Sequence, residues 1–222
     1  MKRRRTAIFI SGRGSNMEAL LRAAQNAGYP AEIVTVVSNR PEAKGLETAL
    51  SYGVEAVCLD HKGFANREAF EVELNRHCRD RKVELIACAG FMRILTDDFI
   101  HRWRGRMINI HPSLLPSYRG MKTHERALND GVKIHGCTVH FVTNELDAGP
   151  IIAQAAVPVL AEDTVENLAQ RVLAQEHRLY PLALEWLGAG SISLRDGKVE
   201  YSFDVQRDYG PLLVPSAARR AF

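Results

Sequence analysis

Short apolar runs alternate with longer amphipathic segments through the first hundred residues, and this alternation restricts the possible folds of the chain more than any other feature. Short apolar runs predict strands, whereas apolar residues recurring every three or four positions predict helices. Strand–helix alternation in turn predicts a parallel sheet with right-handed crossovers. The predicted strands are Thr6–Ile10, Glu32–Val37, Val54–Cys58 and Glu84–Ala89. The predicted helices are Asn16–Ala27, Ala43–Ser51, Arg67–Asp80 and Asp97–Trp103.

In the second half of the chain the strand–helix alternation stops, because the predicted strands are longer and follow one another directly. We predict strands at Met107–Ile110, Ile134–Thr143 and Ile151–Val159, helices at Thr123–Asn129 and Val165–Leu187, and a hairpin of Ile192–Leu194 with Lys198–Phe203. Asp163-Thr164 is the expected cap of the last helix, and Asp196-Gly197 the expected hairpin turn. The tail beyond Asp208 is expected to be irregular. The pattern favours an α/β fold, a doubly wound, mostly parallel sheet flanked by helices, with an antiparallel C-terminal part.

Composition and charge exclude several classes of protein. A net charge of +3 over 222 residues gives no strong case for nucleic-acid binding. No stretch approaches the ~20 apolar residues of a membrane span, and the apolar run after Lys2–Arg5 is too short for a signal peptide. The four cysteines show no close pairing, and His135–His140 follows a strand pattern, so its His and Cys are expected to be sheet residues rather than metal ligands. We therefore expect a cytoplasmic protein with reduced thiols and no metal.

The segment Asn109–Pro116 carries the first indication of chemistry. It follows an apolar, strand-like run and ends at two prolines. Strand alternation places Asn109 and His111 on one face, opposite the neighbouring isoleucines. An amide donor and an imidazole that leave a strand end together can stabilise a developing oxyanion. The same pair could instead do no more than satisfy backbone groups of the following loop.

A glycine-containing loop, Ser11-Gly12-Arg13-Gly14-Ser15-Asn16, lies between the first predicted strand and the first predicted helix. Backbone N–H groups at such a position form an anion site, and Ser15 and Asn16 add side-chain donors that can also cap the helix. The dinucleotide fingerprint fails because Met17 stands where its third glycine is needed, and the Walker pattern fails as well. The loop is therefore either a site for a single phosphate or a turn without a ligand.

Three segments stand in an order that carries a resemblance, namely Ser11–Asn16, Asn109–Pro116 and Leu146–Ile152. Further matches are Ala89–Leu95, His135–Val142 and Gln175–His177. Over residues 6–190 the chain resembles the phosphoribosylglycinamide formyltransferases, a folate-dependent family of purine biosynthesis. The resemblance implies a Rossmann-like formyltransferase fold in one domain spanning residues 1–222. Residues 1–100 would form its nucleotide half, residues 101–190 its folate and catalytic half, and residues 191–222 a hairpin and tail.

The resemblance also implies the reaction and its residues. The family transfers a formyl group from 10-formyltetrahydrofolate to the amine of glycinamide ribonucleotide. The implied catalytic residues are Asn109, His111 and Asp147, and the implied nucleotide contacts are Gly12, Arg13, Gly14, Ser15, Asn16 and Glu176. The implied folate contacts are Arg67, Met92, Arg93, Ile94, Leu95, Val142, Thr143, Asn144, Glu145 and Leu146. Asp147 near His111 would favour the charged imidazole, or would merely close a turn before Gly149-Pro150.

Other functions remain open at this point. A formyltetrahydrofolate hydrolase resembles the catalytic region but uses water as acceptor and carries an N-terminal regulatory domain, whereas this chain starts at its first strand. A methionyl-tRNA formyltransferase needs a further C-terminal domain. A non-catalytic folate- or nucleotide-binding protein would not need Asn109, His111 and Asp147 together. The expected partners are the two substrates alone, in a monomer or homodimer, with no nucleic acid and no membrane.

Overall fold

Seven strands form a single sheet in the computed structural model, which describes residues 2–203 of the chain. The strands of this sheet are β1 Arg4–Ile10, β2 Ala31–Ser38, β3 Ala56–Cys58, β4 Leu85–Cys88, β5 Met107–His111, β6 Ile134–Phe141 and β7 Ile151–Pro158. A separate hairpin consists of β8 Ile192–Arg195 and β9 Lys198–Tyr201. The helices are α1 Ser15–Ala24, α2 Gly45–Ser51, α3 Arg67–Asp80, α4 Asp97–Arg102, α5 Thr123–Asn129 and α6 Val165–Ala189, with a 3-10 turn at His61–Gly63. The predicted tail lies outside the described residues.

The order of the strands creates a switch point in the sheet. The order is β3-β2-β1-β4-β5-β6-β7, and β1 to β5 run parallel whereas β6 and β7 are antiparallel to their neighbours. The chain therefore winds one way from β1 and the other way from β4. Ligands of such sheets bind outside the carboxyl ends of the strands at this point. The predicted α/β class, the mostly parallel sheet and the antiparallel part are confirmed.

Apolar side chains cover both faces of the sheet, as expected for buried parallel strands. Ile8 and Ile10 of β1 point into a core shared with α1 and α6, whereas Ala7 and Phe9 point into a second core shared with α3 and α4. On β5 the same alternation turns its two isoleucines toward the first core. Asn109 is consequently left on the opposite face.

Several element ends differ from the predicted ones for local reasons. The helix predicted to reach Ala27 ends at Ala24, because the Asn26 side chain accepts the N–H of Gly28 and closes a turn. The last helix continues two residues beyond Leu187 and ends where Gly190 adopts a φ of 73°. Its predicted cap is confirmed, since the Thr164 hydroxyl accepts the N–H of Asn167. None of the helices within residues 2–203 is long and apolar enough to cross a membrane.

Tyr180 on α6 connects the long helix to the centre of the sheet. Its fully buried hydroxyl lies 2.9 Å from the carbonyl oxygen of Cys88 and 3.1 Å from that of Ile108. The hydroxyl can donate to either carbonyl where β4 and β5 lie side by side. This contact fixes α6 against the strand that carries Asn109 and His111.

Gly136 on β6 provides a test of the tight β6–β7 pairing. A Cβ atom at this position would lie 2.0 Å from the carbonyl oxygen of Ala155, so backbone would have to move. We expect Gly136→Ala to lower the free energy of unfolding by about 3 kcal/mol, at the upper end of overpacking costs. Urea titration measures this change. Gly63→Ala is the matched control, because nothing lies within 4 Å of its added Cβ. Equal stability of the two variants would contradict the close approach.

Candidate active site

The pairing of β5 with β6 brings the polar face of β5 opposite a histidine. Asn109 pairs with His140 and His111 pairs with Thr138 in antiparallel register. The Asn109 amide nitrogen lies 3.3 Å from Nε2 of His140. The other ring nitrogen of His140 donates to the carbonyl of Phe141 at 2.9 Å, so Nε2 is the acceptor. Burial lowers the pKa of His140, which keeps the ring neutral and suited to this role.

Asp147 reaches the same place from the β6–β7 connection. One of its carboxylate oxygens lies 3.4 Å from Nδ1 of His111 and accepts the backbone N–H of Gly120 at 3.0 Å. The other oxygen lies 3.9 Å from Nε2 of His140. Asp147 has a φ of 48°, an uncommon conformation for a residue other than glycine. The side chain therefore points away from its own turn and toward two histidines from neighbouring strands.

The conformation of this connection depends on Gly149. A Cβ atom there would lie 1.7 Å from the carbonyl oxygen of Phe141, so only glycine allows the chain to return against β6. Phe141 also donates its N–H to the carbonyl of Pro150 at 3.0 Å. Sequence reasoning left open a simple turn role for Asp147. Asp147 does lie in a turn, because the N–H of Ala148 donates to the carbonyl of Glu145 at 3.4 Å, and its carboxylate nonetheless faces His111.

His111 is buried and has an oxygen acceptor at each ring nitrogen. Its Nε2 lies 3.0 Å from the carbonyl oxygen of Tyr118, and its Nδ1 faces Asp147. Because a carbonyl only accepts, Nε2 carries a hydrogen in this arrangement. A protonated ring can donate at both nitrogens, and its orientation is fixed by both.

The glycine loop lies at the carboxyl end of β1, as predicted, but the expected caps are wrong. Gly14, with a φ of 76°, occupies the N-cap position of α1, and no side chain caps this helix. Ser15 and Asn16 are instead the first two helical residues, so their backbone N–H groups have no acceptor within the helix. The carbonyl of Gly12 accepts the N–H of Gly45 at 3.1 Å, which braces the loop against α2.

The Asn16 side chain turns away from the capping position because it binds Glu176 of α6. Its amide donates to the Glu176 carboxylate at 2.6 Å, and its own carbonyl oxygen is buried without a partner among the described residues. Burial raises the pKa of Glu176, whereas the Asn16 hydrogen bond opposes this shift. Two predicted nucleotide contacts, which are distant in sequence, therefore form one polar pair.

Two cavities open at the carboxyl ends of the central strands and meet at Asn109 and Asp147. The first, of about 270 Å³, is lined by most of the predicted folate contacts, Arg93, Ile94, Leu95, Val142, Thr143, Asn144, Glu145 and Leu146, and by His140. The second, of about 650 Å³, is lined by Met92, His111 and the pair of Asn16 with Glu176. Both cavities share Asn109, Asp147, Phe91, Arg93, Ile94 and Leu146.

Some predicted contacts lie outside these cavities. Arg67 is exposed at the start of α3 and lines neither of them. Arg13 is also exposed, and of the glycine loop only Asn16 lines the second cavity. The roles of Arg67 and Arg13 stay predictions.

Sequence reasoning missed His140 and the loop around Gly120. His140 was expected to be an ordinary sheet residue, and it does lie on β6. Its position opposite Asn109 follows only from the antiparallel register, which a strand pattern alone does not specify. The Gly120 N–H could not have been found from composition, because it acts through the backbone. Residues 2–203 contain no group of three or more His, Cys, Asp or Glu side chains placed to share a metal ion.

Known proteins share this arrangement of elements. The formyl transferase family profile matches residues 4–184 of the chain. The chain belongs to the formyl transferase family. Phosphoribosylglycinamide formyltransferase from Escherichia coli is a family relative that is 42% identical over 189 residues, covering 85% of this chain and 89% of that protein. The crystal structure of glycinamide ribonucleotide transformylase 1 from Symbiobacterium toebii has a TM-score of 0.87 at 41% identity, covering 90% of this chain and 94% of that one.

The chain also matches part of a much longer relative. The trifunctional purine biosynthetic protein adenosine-3 of Drosophila melanogaster is 46% identical over 192 residues, which is 86% of this chain but only 14% of that protein. The resemblance inferred from the sequence motifs is confirmed at the level of the family. The roles of single residues are not tested by these similarities.

The charge of Asp147 provides a direct test of the site. We expect Asp147→Asn to lower kcat by about 100-fold, because the amide keeps the shape of the side chain but removes the negative charge that faces His111. Steady-state kinetics with both substrates saturating measures this loss. Asp163→Asn is the matched control, since it neutralises a buried carboxylate paired with Arg171 away from both cavities. Similar kcat values for the two variants would contradict a catalytic role of Asp147.

His135 lies behind the second cavity, where it contacts His124, which lines that cavity. Burial, with a further effect of nearby His124, lowers the pKa of His135 from 6.5 to about 4. The unfolded chain therefore binds a proton in this window that the folded chain does not, so stability falls as pH drops from 6.5 to 4.

The variant His135→Gln should lose part of this pH dependence. Its free energy of unfolding should fall less steeply than that of the wild type between pH 6.5 and 4, by up to about 1.4 kcal/mol per pH unit. Urea titrations across this range measure the slope. Tyr118→Phe keeps the ring that packs edge-on against His135 and should retain the wild-type slope. Parallel curves for His135→Gln and wild type would refute the assignment.

Proposed function

We propose that the protein transfers the formyl group of 10-formyltetrahydrofolate to the amine of glycinamide ribonucleotide, giving formylglycinamide ribonucleotide and tetrahydrofolate. The observation that carries this proposal is the meeting of two cavities at Asn109 and Asp147, with His111 beside them. A transfer between two substrates requires that both reach the same polar groups. The family relatives named above support the same reaction.

The chemistry is a direct displacement at the formyl carbon. The neutral amine of the nucleotide attacks this carbon, and its lone pair forms the new C–N bond while the formyl oxygen becomes an oxyanion. The Asn109 amide has a second N–H beyond the one directed at His140, and this N–H donates to the oxyanion. Collapse of the intermediate breaks the bond to N10 of the folate, which takes up the proton lost by the amine. No side chain forms a covalent intermediate.

His111 and Asp147 contribute charge and proton transfer. Because Nε2 of His111 donates to the carbonyl of Tyr118 and Nδ1 faces Asp147, both ring nitrogens are occupied, and the ring acts on the oxyanion through its charge distribution rather than as its direct donor. Asp147 holds that ring in place, accepts the amine proton through a water molecule and returns it to N10 of the folate as the C–N10 bond breaks. This role differs from the direct donation to the oxyanion that was predicted for His111 from its motif.

The second cavity supports a nucleotide acceptor rather than water. The N–H groups at the start of α1 suit a phosphate, and helix N-termini stabilise such anions. The buried Glu176 can accept hydrogen bonds from ribose hydroxyls beside Asn16. A hydrolase that uses water as acceptor would need neither feature. The hydrolase alternative is therefore not favoured.

The first cavity supports the folate as formyl donor. Its apolar walls, formed by Ile94, Leu95 and Val142, suit a flat pterin ring, while backbone groups of Arg93–Leu95 and of the loop at Val142–Leu146 can bind the ring edge. Arg67 is proposed to meet the carboxylates of the folate tail outside this cavity. No metal is required by this reaction.

We further infer a cytoplasmic location and an enzyme that works as a monomer or homodimer, with small molecules as its partners. All four cysteines are free thiols, and three of them are buried. Burial raises the pKa of Cys78, Cys88 and Cys137 to about 12, so these thiols stay protonated and unreactive. A reducing compartment is consistent with such a set.

The decisive assay for the reaction follows loss of the formyl group from 10-formyltetrahydrofolate with and without glycinamide ribonucleotide. We expect formyl loss to depend on the nucleotide and to match formation of the formylated product in a one-to-one ratio. Equal formyl loss without the nucleotide would favour a hydrolase and reject the transferase. Absence of any formyl loss would reject both.

Removal of the Ser15 and Asn16 side chains tests the nucleotide site. We expect the double variant Ser15→Ala/Asn16→Ala to weaken nucleotide affinity more than tenfold. It removes the Ser15 hydroxyl at the proposed phosphate site and the Asn16 amide that holds Glu176 beside the second cavity, and hydrogen bonds to charged groups contribute about 1.5–3 kcal/mol each. Isothermal titration with each substrate separately measures the effect, and folate affinity should remain. Thr164→Ala removes the cap of α6 and controls for loss of stability at a helix start. An equal loss of folate and nucleotide affinity would show that the site is assigned wrongly.

A further inference from the structure

The segment Gly90–Thr96 joins β4 to α4 and contributes to both cavities, yet it has almost no backbone partners of its own. It contains no regular secondary structure, and it turns at Gly90, which has a φ of 77°. Among the described residues, the backbone N–H groups of Arg93, Ile94 and Leu95 have no hydrogen-bond acceptor. These groups are thus free for a ligand, but they cannot hold the segment in place.

One attachment of this segment is the hydroxyl of Ser11. The N–H of Met92 donates to Ser11 Oγ at 2.7 Å, and this hydroxyl in turn donates to the side-chain carbonyl of Asn39 at 2.5 Å. Ser11 and Asn39 are both buried, directly after β1 and β2. Because β1 and β4 are neighbours at the switch point, the end of β1 lies beside the chain that leaves β4.

The other attachment is the carboxylate of Glu71 on α3. The N–H of Thr96 donates to Glu71 at 2.8 Å, and the Thr96 hydroxyl donates to the second carboxylate oxygen. Glu71 is only 4% exposed, so its charge is stabilised mainly by these two donors. The Thr96 hydroxyl also accepts the N–H of Phe99 and caps α4. Glu71 therefore fixes the point at which the segment becomes helical.

We propose that Ser11 and Glu71 are positioning residues for the formyl donor, which hold the Gly90–Thr96 segment at Met92 and Thr96 so that the free backbone groups between these points keep a binding conformation. Neither side chain lines the two cavities. The proposal rests on the folate assignment made above for Arg93, Ile94 and Leu95. It adds the groups that keep this segment ordered before the ligand arrives.

The physical reason is preorganisation. A segment without backbone partners must be ordered when a ligand binds, and this ordering reduces affinity. Two attachments that exist before binding remove much of that cost. Loss of one of them should weaken donor binding while leaving the chemical step intact, because Asn109, His111 and Asp147 belong to other elements. A rise in KM for the donor without a matching fall in kcat is the signature of such a role.

The test uses four variants of the full-length protein and one control. Ser11→Ala and Glu71→Ala remove the attachments, whereas Ser11→Thr keeps the hydroxyl and Glu71→Gln keeps one acceptor oxygen. Thr35→Val is the matched control, because it deletes a buried hydroxyl that bonds to His77 instead of the segment. For each variant and for the wild type we would measure KM for 10-formyltetrahydrofolate, KM for glycinamide ribonucleotide, kcat and Tm.

We expect the two alanine variants to raise donor KM about tenfold, because each releases one of the two points that hold the segment, with kcat within about twofold of wild type. Glu71→Ala should leave the nucleotide KM unchanged, Ser11→Thr should restore donor KM, and Glu71→Gln should show an intermediate increase. Thr35→Val should lower Tm without changing donor KM.

Unchanged donor KM in folded Ser11→Ala and Glu71→Ala would overturn the proposal, as would equal increases for Thr35→Val. Should the alanine variants fail to fold, a wild-type donor KM in Glu71→Gln would overturn it instead. A wild type that shows no saturable dependence on 10-formyltetrahydrofolate would refute the proposed function itself, which separates the two failures.

Discussion

The pairing of β5 on both of its edges is the constraint on which the rest of the site depends. β5 lies parallel to β4 on one side and antiparallel to β6 on the other. The parallel pairing with β4 places the carboxyl end of β5 at the same edge of the sheet as the carboxyl end of β1, next to the switch point. The antiparallel side places His140 opposite Asn109, and the connection that leaves β6 returns with Asp147 facing His111. A shift of this register by one residue would turn the polar side chains of β5 into the core.

Burial determines how the polar groups of the site can act. The Asp147 side chain is only 10% exposed, and its carboxylate faces two histidines and accepts a backbone N–H. Electrostatic effects are stronger in such surroundings than in solvent, so charged and polar groups here act strongly on one another and on a bound substrate. The surrounding loops fix the geometry. Gly149 returns the chain against Phe141, and Arg119, next to Gly120, pairs with Glu145 of the β6–β7 connection at 2.5 Å.

Sequence patterns predicted the strands and helices well because each carries its own periodicity, and α3 and α5 agree residue for residue with the structure. The proximity of Asn109, His111 and Asp147 could be predicted for a different reason. Asn109, His111 and Asp147 lie in short motifs that stand at strand ends, where side chains leave the core. His140 could not be found in this way, because its importance arises from a pairing between strands. The capping role expected for Ser15 and Asn16 failed because Gly14 takes the cap position and Glu176, far away in sequence, binds Asn16.

Whether both substrates meet at Asn109 and Asp147 is tested by a crystal structure of the protein with glycinamide ribonucleotide and a 10-formyl folate analogue that cannot transfer its formyl group. Our account predicts the phosphate at the start of α1, the pterin in the cavity lined by Arg93–Leu95, and the formyl oxygen within hydrogen-bonding distance of the Asn109 amide. The amine of the nucleotide should lie next to the formyl carbon on the side of Asp147. A complex with both ligands bound in which the formyl group lies away from Asn109, or in which the nucleotide occupies another surface, would contradict the account.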